Sequence, residues 1–210
     1  ESDWLALGRR SWNSLTDEEK LRRSRATVMH VGLGEARRSI DHIKVGCYML
    51  AFCAMDYLSM IHCGAGKADR STVKRLVEEV LKGVDARYDG EALYATRCRL
   101  VHNYAVSRHH RLMWGRDNPY HLRRFPGVKG DALCLVLEYW INDLEVATER
   151  VFAQVAADSE RTKRVVRVLG KVEPLGYGTF AIHYGGVSEG MSVELNPDLT
   201  DANAPPPAEA

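Results

Sequence analysis

The sequence has no cysteine pairing pattern. Its five cysteines, Cys47, Cys53, Cys63, Cys98 and Cys134, are odd in number and scattered, and no Cys-x-x-Cys occurs. Neither a disulfide framework nor a zinc signature can be read from that spacing, which leaves reduced, mostly buried thiols in a cytoplasmic protein. No basic stretch followed by an apolar run opens the chain, so no secretory signal is read. Glu1 stands where an initiator Met would, as in a trimmed chain. No apolar run reaches the ~20 residues of a comfortable membrane span. The best, Val45 to Ile61, is interrupted by Asp56 and reads as a buried core helix, so no membrane partner is expected. Net charge is also scarce. Lys and Arg number 29 against 28 Asp and Glu, a formal +1. That excludes a generally basic, nucleic-acid-coating protein but allows a local basic patch. What remains is ordinary: 210 residues, 45% hydrophobic and 27% charged, with no internal repeat. Such a chain builds one sizeable core, or one domain with an appendage.

Punctuation along the chain predicts helices. Thr16 lies three residues before Glu19, the capping-box spacing, and a helix should run from there to about His30. Gly32 and Gly34 loosen the next residues. A long helix is expected from about Glu35 to His62, ended by the glycines of Cys63-Gly64-Ala65-Gly66. Ser71-Thr72-Val73 opens another, with Val73, Leu76, Val77, Val80, Leu81 and Val84 on one face. Asp89-Gly90 breaks it, and Glu91 begins the next. Residues 107 to 130, rich in Gly and Pro and without helical period, read as a loop. Asp131 should cap a last helix to about Asp158, or on to Val168. After Gly170, Thr179 to Tyr184 and Met191 to Leu195 read as a small hairpin around Gly185-Gly186 and Gly190. The Pro-rich end should be disordered. The expected fold is all-α: a bundle of four or five helices over residues 1–170, a β-hairpin appendage at 171–195, and a tail at 196–210.

Charge is concentrated in one place. Residues 97 to 124 hold seven arginines and four histidines but a single acid, Asp117. The segment opens on Arg97-Cys98-Arg99-Leu100-Val101-His102-Asn103-Tyr104. This Arg-x4-His spacing, extended to Tyr104 and placed on a helix between an amphipathic helix and a further loop and helix, resembles the HEPN superfamily (higher eukaryotes and prokaryotes nucleotide-binding domains). The Arg-x4-His-x-Tyr form is similar to that of HEPN toxins from toxin–antitoxin pairs. The resemblance covers about residues 35–158. It implies a HEPN-like helical bundle and a metal-independent endoribonuclease, connected with toxin or defence systems. It implies a homodimer, a cognate antitoxin as a possible partner, and Tyr104 as the counterpart of a tyrosine whose adenylylation silences the toxin. Cys98 departs from the Asn or Asp that commonly follows the arginine in active members.

The residue types fit that chemistry. Cleavage without metal needs a base for the ribose 2′-OH, an acid for the leaving 5′-oxygen and cationic donors for the phosphate. His102 is the natural acid/base, and Arg97 the natural phosphate clamp. Products would carry a 2′,3′-cyclic phosphate and a 5′-hydroxyl. Asn103 and Tyr104, with Arg99, Arg108 and Arg111, are candidates to bind the RNA, and Trp114 and Tyr120 could stack on unpaired bases. Five residues of helix turn about 140° around the axis, so Arg97 and His102 would splay apart on a regular helix. Either the helix ends or bends near His102, or a symmetric dimer brings two motifs together; the resemblance implies the second. No carboxylate or cysteine stands at ligand spacing from His102, His109, His110 or His121, so neither a metal nor a cofactor is expected. A thiolate–imidazole pair between Cys98 and His102 lacks an orienting third group. The same basic surface also admits a non-catalytic module that binds RNA, a nucleotide or a protein.

Overall fold

The computed structural model describes residues 6–7, 10–103, 105, 110–126 and 131–171, with only the backbone at Asn103. These residues are mostly helical, with a small three-stranded sheet. After a short 3-10 turn at Trp12–Ser14, α1 spans Asp17–Ala26. It passes through a π-helical stretch, Thr27–Leu33, directly into α2, Gly34–Arg38. Then come α3 (Lys44–Cys63), α4 (Arg70–Glu79), α5 (Gly90–Asn103), β1 (His110–Met113), β2 (Arg124–Phe125), β3 (Ala132–Val136), α6 (Leu137–Ala156) and α7 (Ser159–Leu169).

Local chemistry accounts for most boundaries. The Thr16 hydroxyl accepts from Glu19 N–H at 3.2 Å, and Glu19 Oε2 accepts from Thr16 N–H at 2.8 Å, so the expected capping box starts α1. Asp69, Asp89 and Asp158 each accept two backbone N–H bonds at the starts of α4, α5 and α7. Gly64, at φ 60°, ends α3 in the left-handed region, where Ala65 N–H reaches back to the Met60 carbonyl at 3.0 Å.

Several boundaries differ from the sequence reading. The helix α4, expected to run to the break at Asp89-Gly90, ends at Glu79 and is followed by a 3-10 turn at Leu81–Gly83. The glycines at 32 and 34 do not break the first helix. At Gly32 a Cβ would come within 3.1 Å of Ala54 Cβ, so the missing side chain lets the π turn lie against α3. The break falls instead at 39–43, and α3 starts at Lys44 rather than near Glu35. The last helix does not begin at Asp131. Ala132 to Val136 form a strand buried at every position, and the helix starts at Leu137. An all-apolar run of this length has no period to separate buried strand from buried helix. The expected loop also holds two strands. The sheet order is β1-β3-β2, with β1 parallel to β3 (His110 opposite Leu133) and β2 antiparallel to it (Phe125 opposite Ala132). The hairpin at 171–195 and the tail at 196–210 lie outside the described residues, Lys171 excepted.

One core joins helices and sheet, from Leu21 through Phe52, Leu76, Leu93, Leu135 and Trp140 to Leu169. The helix Lys44–Cys63 is long and apolar enough to cross a membrane, but 61% of that window is buried inside the fold. Tyr48 of α3 fixes the sheet. Its buried hydroxyl accepts from Met113 N–H at 3.1 Å and has the Met113 and Leu135 carbonyls for its own proton.

At the other end of α3, buried His62 joins three helices. Arg161 Nη2 donates to His62 Nδ1 at 2.9 Å, which leaves the proton on Nε2 for Glu79 at 2.9 Å. Burial holds His62 below the ordinary histidine value of 6.5, with Arg161 adding to the effect and Glu79 opposing it. The folded chain therefore keeps His62 neutral where the unfolded chain takes up a proton. Stability from this group is complete above 6.5 and falls as pH drops from there toward the lowered folded value. The melting temperature should be lower at about pH 5.5 than at about pH 7.5, and the His62→Gln protein should show a smaller difference. An unchanged difference in that variant would place the pH sensitivity elsewhere.

Candidate functional site

The site forms where α5 lies across α3. Asp56 interrupts the apolar run of α3, and an ionised carboxylate there requires a cation. Arg97 of α5 supplies it. Its Nε and Nη2 both donate to Asp56 Oδ2, at 2.6 and 2.5 Å, with side chains only 17% and 13% exposed. Burial pushes the Asp56 carboxyl above its ordinary value, and Arg97 only partly pulls it back. Burial works against the Arg97 charge too, but Asp56 and, to a smaller extent, Cys98 together more than offset it, so the guanidinium is held above its ordinary value. Asp56 Oδ1 is buried with no hydrogen-bond partner among the described residues.

The other arm of the guanidinium faces His102. Arg97 Nη1 lies 3.2 Å from His102 Nε2 and 3.8 Å from Cys98 Sγ. Arginine only donates, so His102 Nε2 is the acceptor and the proton of the neutral ring sits on Nδ1. The two side chains leave the helix about 140° apart, yet they meet within one chain. Arg97 is long enough to reach along the helix, and α5 ends at Asn103, one residue past His102. The meeting of these groups therefore does not require a second subunit.

The phosphate-clamp expectation for Arg97 is corrected in one respect. Its Nε–Nη2 edge is spent on Asp56, so that fork cannot also take two phosphate oxygens. What Arg97 offers is a fixed positive charge and a donor on the accessible imidazole; His102 itself is exposed. Cys98 touches Arg97, and the described imidazole contact is with Arg97, not with the thiol.

The remaining candidates are dispersed. Arg99 is exposed, about 200° around α5 from Arg97 and so on the His102 side of the helix, three residues before it, with no described contact to either side chain. Asn103 ends the helix and its side chain is not described, while Tyr104 and Arg108 lie outside the described residues. Arg111 is on β1, where it donates to the Pro126 carbonyl at 3.1 Å and lies over the Phe125 ring. The histidines separate. His110 is buried, with Nδ1 2.6 Å from the Thr96 hydroxyl. His121 takes Val136 N–H on Nδ1 at 3.1 Å and places Nε2 3.2 Å from Asp143, which also accepts from Tyr88 at 2.5 Å. Among the described residues no three His, Cys, Asp or Glu side chains gather as a metal site.

Asp56 is the site residue that the motif did not reveal. Its signal was present as a lone carboxylate in an apolar helix, but nothing local says which cation answers it. No protein-family model, curated protein or solved structure matches this chain.

Proposed function

We propose that this chain is a metal-independent endoribonuclease of HEPN type, working as a homodimer in the cytoplasm, of the kind used in toxin or defence systems. The observation that carries the reading is the 3.2 Å contact between Arg97 Nη1 and an exposed His102, backed by the buried Asp56–Arg97 pair. An imidazole that is open to solvent and held beside a permanent cation is suited to proton transfer at a phosphodiester. His102 Nε2, released when Arg97 Nη1 turns from the imidazole to the phosphate, takes the proton from a ribose 2′-OH, and the oxygen attacks phosphorus. The Arg97 charge stabilises the negative charge that develops, and the leaving 5′-oxygen is protonated by a second acid.

Among the described residues each chain has one such imidazole at the site, and a second copy provides another. The outer face of α3 supports that assembly. Ile43, at its N-cap, and Leu50, seven residues on, are exposed there, with Cys53 next in line toward Asp56. All five thiols are free, which suits a reducing compartment.

The test is incubation of the purified protein with a structured RNA in EDTA. The expected products end in a 2′,3′-cyclic phosphate and a 5′-hydroxyl. No cleavage, or cleavage only when divalent metal is restored, would overturn the reading. A second reading is favoured by the occupied Arg97 fork: a HEPN-like module that binds RNA without cutting it. Salt-dependent RNA binding with no cleavage products would select it.

A further inference from the structure

The basic segment after α5 is not a bare loop. Gly115 N–H donates to Glu138 Oε1 at 2.9 Å, and the Tyr139 hydroxyl donates to the Arg116 carbonyl at 3.1 Å. Asn118 Oδ1 accepts from Tyr120 N–H at 3.1 Å. Leu122, at φ 57°, turns the chain so that Arg123 N–H returns to the Tyr120 carbonyl at 2.9 Å. These bonds tie the connection to the first turn of α6 and present its rings outward.

On the outer face of the sheet, cations and rings alternate. The Arg111 guanidinium lies 5.5 Å from the Phe125 ring centre. Phe125 and Tyr120 meet edge to face at 5.3 Å and 74°. Arg123 lies 5.8 Å from the Tyr120 ring. Tyr120 remains 40% exposed and nearby Trp114 53%. None of Arg111, Arg116, Arg123 or Arg124 forms an ion pair among the described residues, and Asp117 is the single acid in residues 110–126. A face with several unspent positive charges and solvent-facing rings is not explained by packing. Its chemistry complements a polyanion that carries flat, unpaired aromatic groups.

We infer that this sheet face binds single-stranded RNA, with unpaired bases stacked on Tyr120 and Trp114 and the backbone phosphates held by Arg111 and Arg123. The inference deepens the ribonuclease reading by assigning the strand-holding surface, and rests on it for the choice of RNA over other polyanions. It is chemically separate from the Arg97–His102 pair, because none of these side chains hydrogen-bonds to that pair. A paired helix would hide its bases from the rings, so the surface prefers single strands over duplex.

The test uses the wild-type protein and a short fluorescein-labelled 2′-O-methyl oligoadenylate, which has no free 2′-OH and so cannot be cut by the proposed route. Fluorescence anisotropy should show salt-dependent binding, weaker for the same strand paired with oligouridylate. Tyr120→Ala and Trp114→Ala should each weaken single-strand binding about 10-fold, and Tyr120→Trp should restore it. Arg123→Gln should lower the slope of log affinity against log salt by about 0.7. Trp114 is more than half exposed, so its replacement leaves the core untouched even if Tyr120→Ala perturbs the turn. Wild-type affinity in Trp114→Ala and Tyr120→Ala, or a duplex bound as tightly as the single strand, would overturn the inference. The two readings fail separately. Binding that depends on Tyr120 without cleavage of RNA in EDTA removes the nuclease and keeps the surface. Cleavage without such binding removes the surface and keeps the nuclease.

Discussion

RNA cleavage by His102→Ala should fall by about 10²- to 10⁴-fold relative to wild type, the usual contribution of one positioned general acid or base. The protein should remain folded. His102 is exposed, its described contact is a hydrogen bond from Arg97, and substitutions at such positions usually change stability by no more than about 0.5 kcal/mol. Rates from product-end analysis, read beside a thermal melt of the same samples, separate chemistry from folding. Equal cleavage by the two proteins, or none by either, would remove His102 from the proposed mechanism.

The second large effect is on stability, and it is unequal between the two partners of the buried pair. Asp56 pairs with Arg97 at 2.5 Å, but burial still wins at the carboxylate, while the guanidinium is a net beneficiary of the pairing. Arg97→Leu would leave Asp56 buried with nothing to balance it. The expected loss is about 3 kcal/mol at neutral pH, toward the lower end for a broken buried pair because Arg97 keeps some contact with solvent.

The sign with pH follows from Asp56. With Arg97 gone its folded value rises further above the ordinary 3.8, so the folded chain holds the proton better than the unfolded chain. The deficit should shrink as pH falls through the raised value toward 3.8. Asp56→Leu should cost less than Arg97→Leu, and the double Leu variant should recover most of the loss, since apolar replacement of a buried ion pair is often neutral or stabilising. Urea denaturation at several pH values measures all three. An Arg97→Leu protein as stable as wild type at neutral pH would show that Asp56 does not depend on Arg97.

Much of the helical part was legible because it is written locally. The Thr16–Glu19 box and Gly64 act within a few residues, and the apolar spacing from Val73 to Val77 marks the face that α4 buries. What could not be read depends on partners far along the chain. Ala132 to Val136 become a strand because His110 to Met113 lie alongside, more than twenty residues earlier. Gly32 reads as a breaker until Ala54 is seen beside it. The site was half visible. Arg97 and His102 share a motif, whereas Asp56 is 41 residues away in sequence from the arginine it binds. The geometric expectation that two positions five apart must diverge treated side chains as spokes. It neglected how far a guanidinium on a flexible stem can travel.

The way the sheet is suspended has its own consequence. It is tied to α5 by the Thr96–His110 bond, one residue from Arg97, and to α3 by Tyr48, two helical turns before Asp56. Both anchors lie on the helices whose crossing sets the Asp56–Arg97–His102 spacing. The sheet thus braces that crossing as a splint braces a joint. The spacing is fixed when the chain folds and does not have to be assembled when a ligand arrives, so binding carries little additional ordering entropy at the pair itself. Loosening either anchor should therefore blunt the site without altering any residue in it.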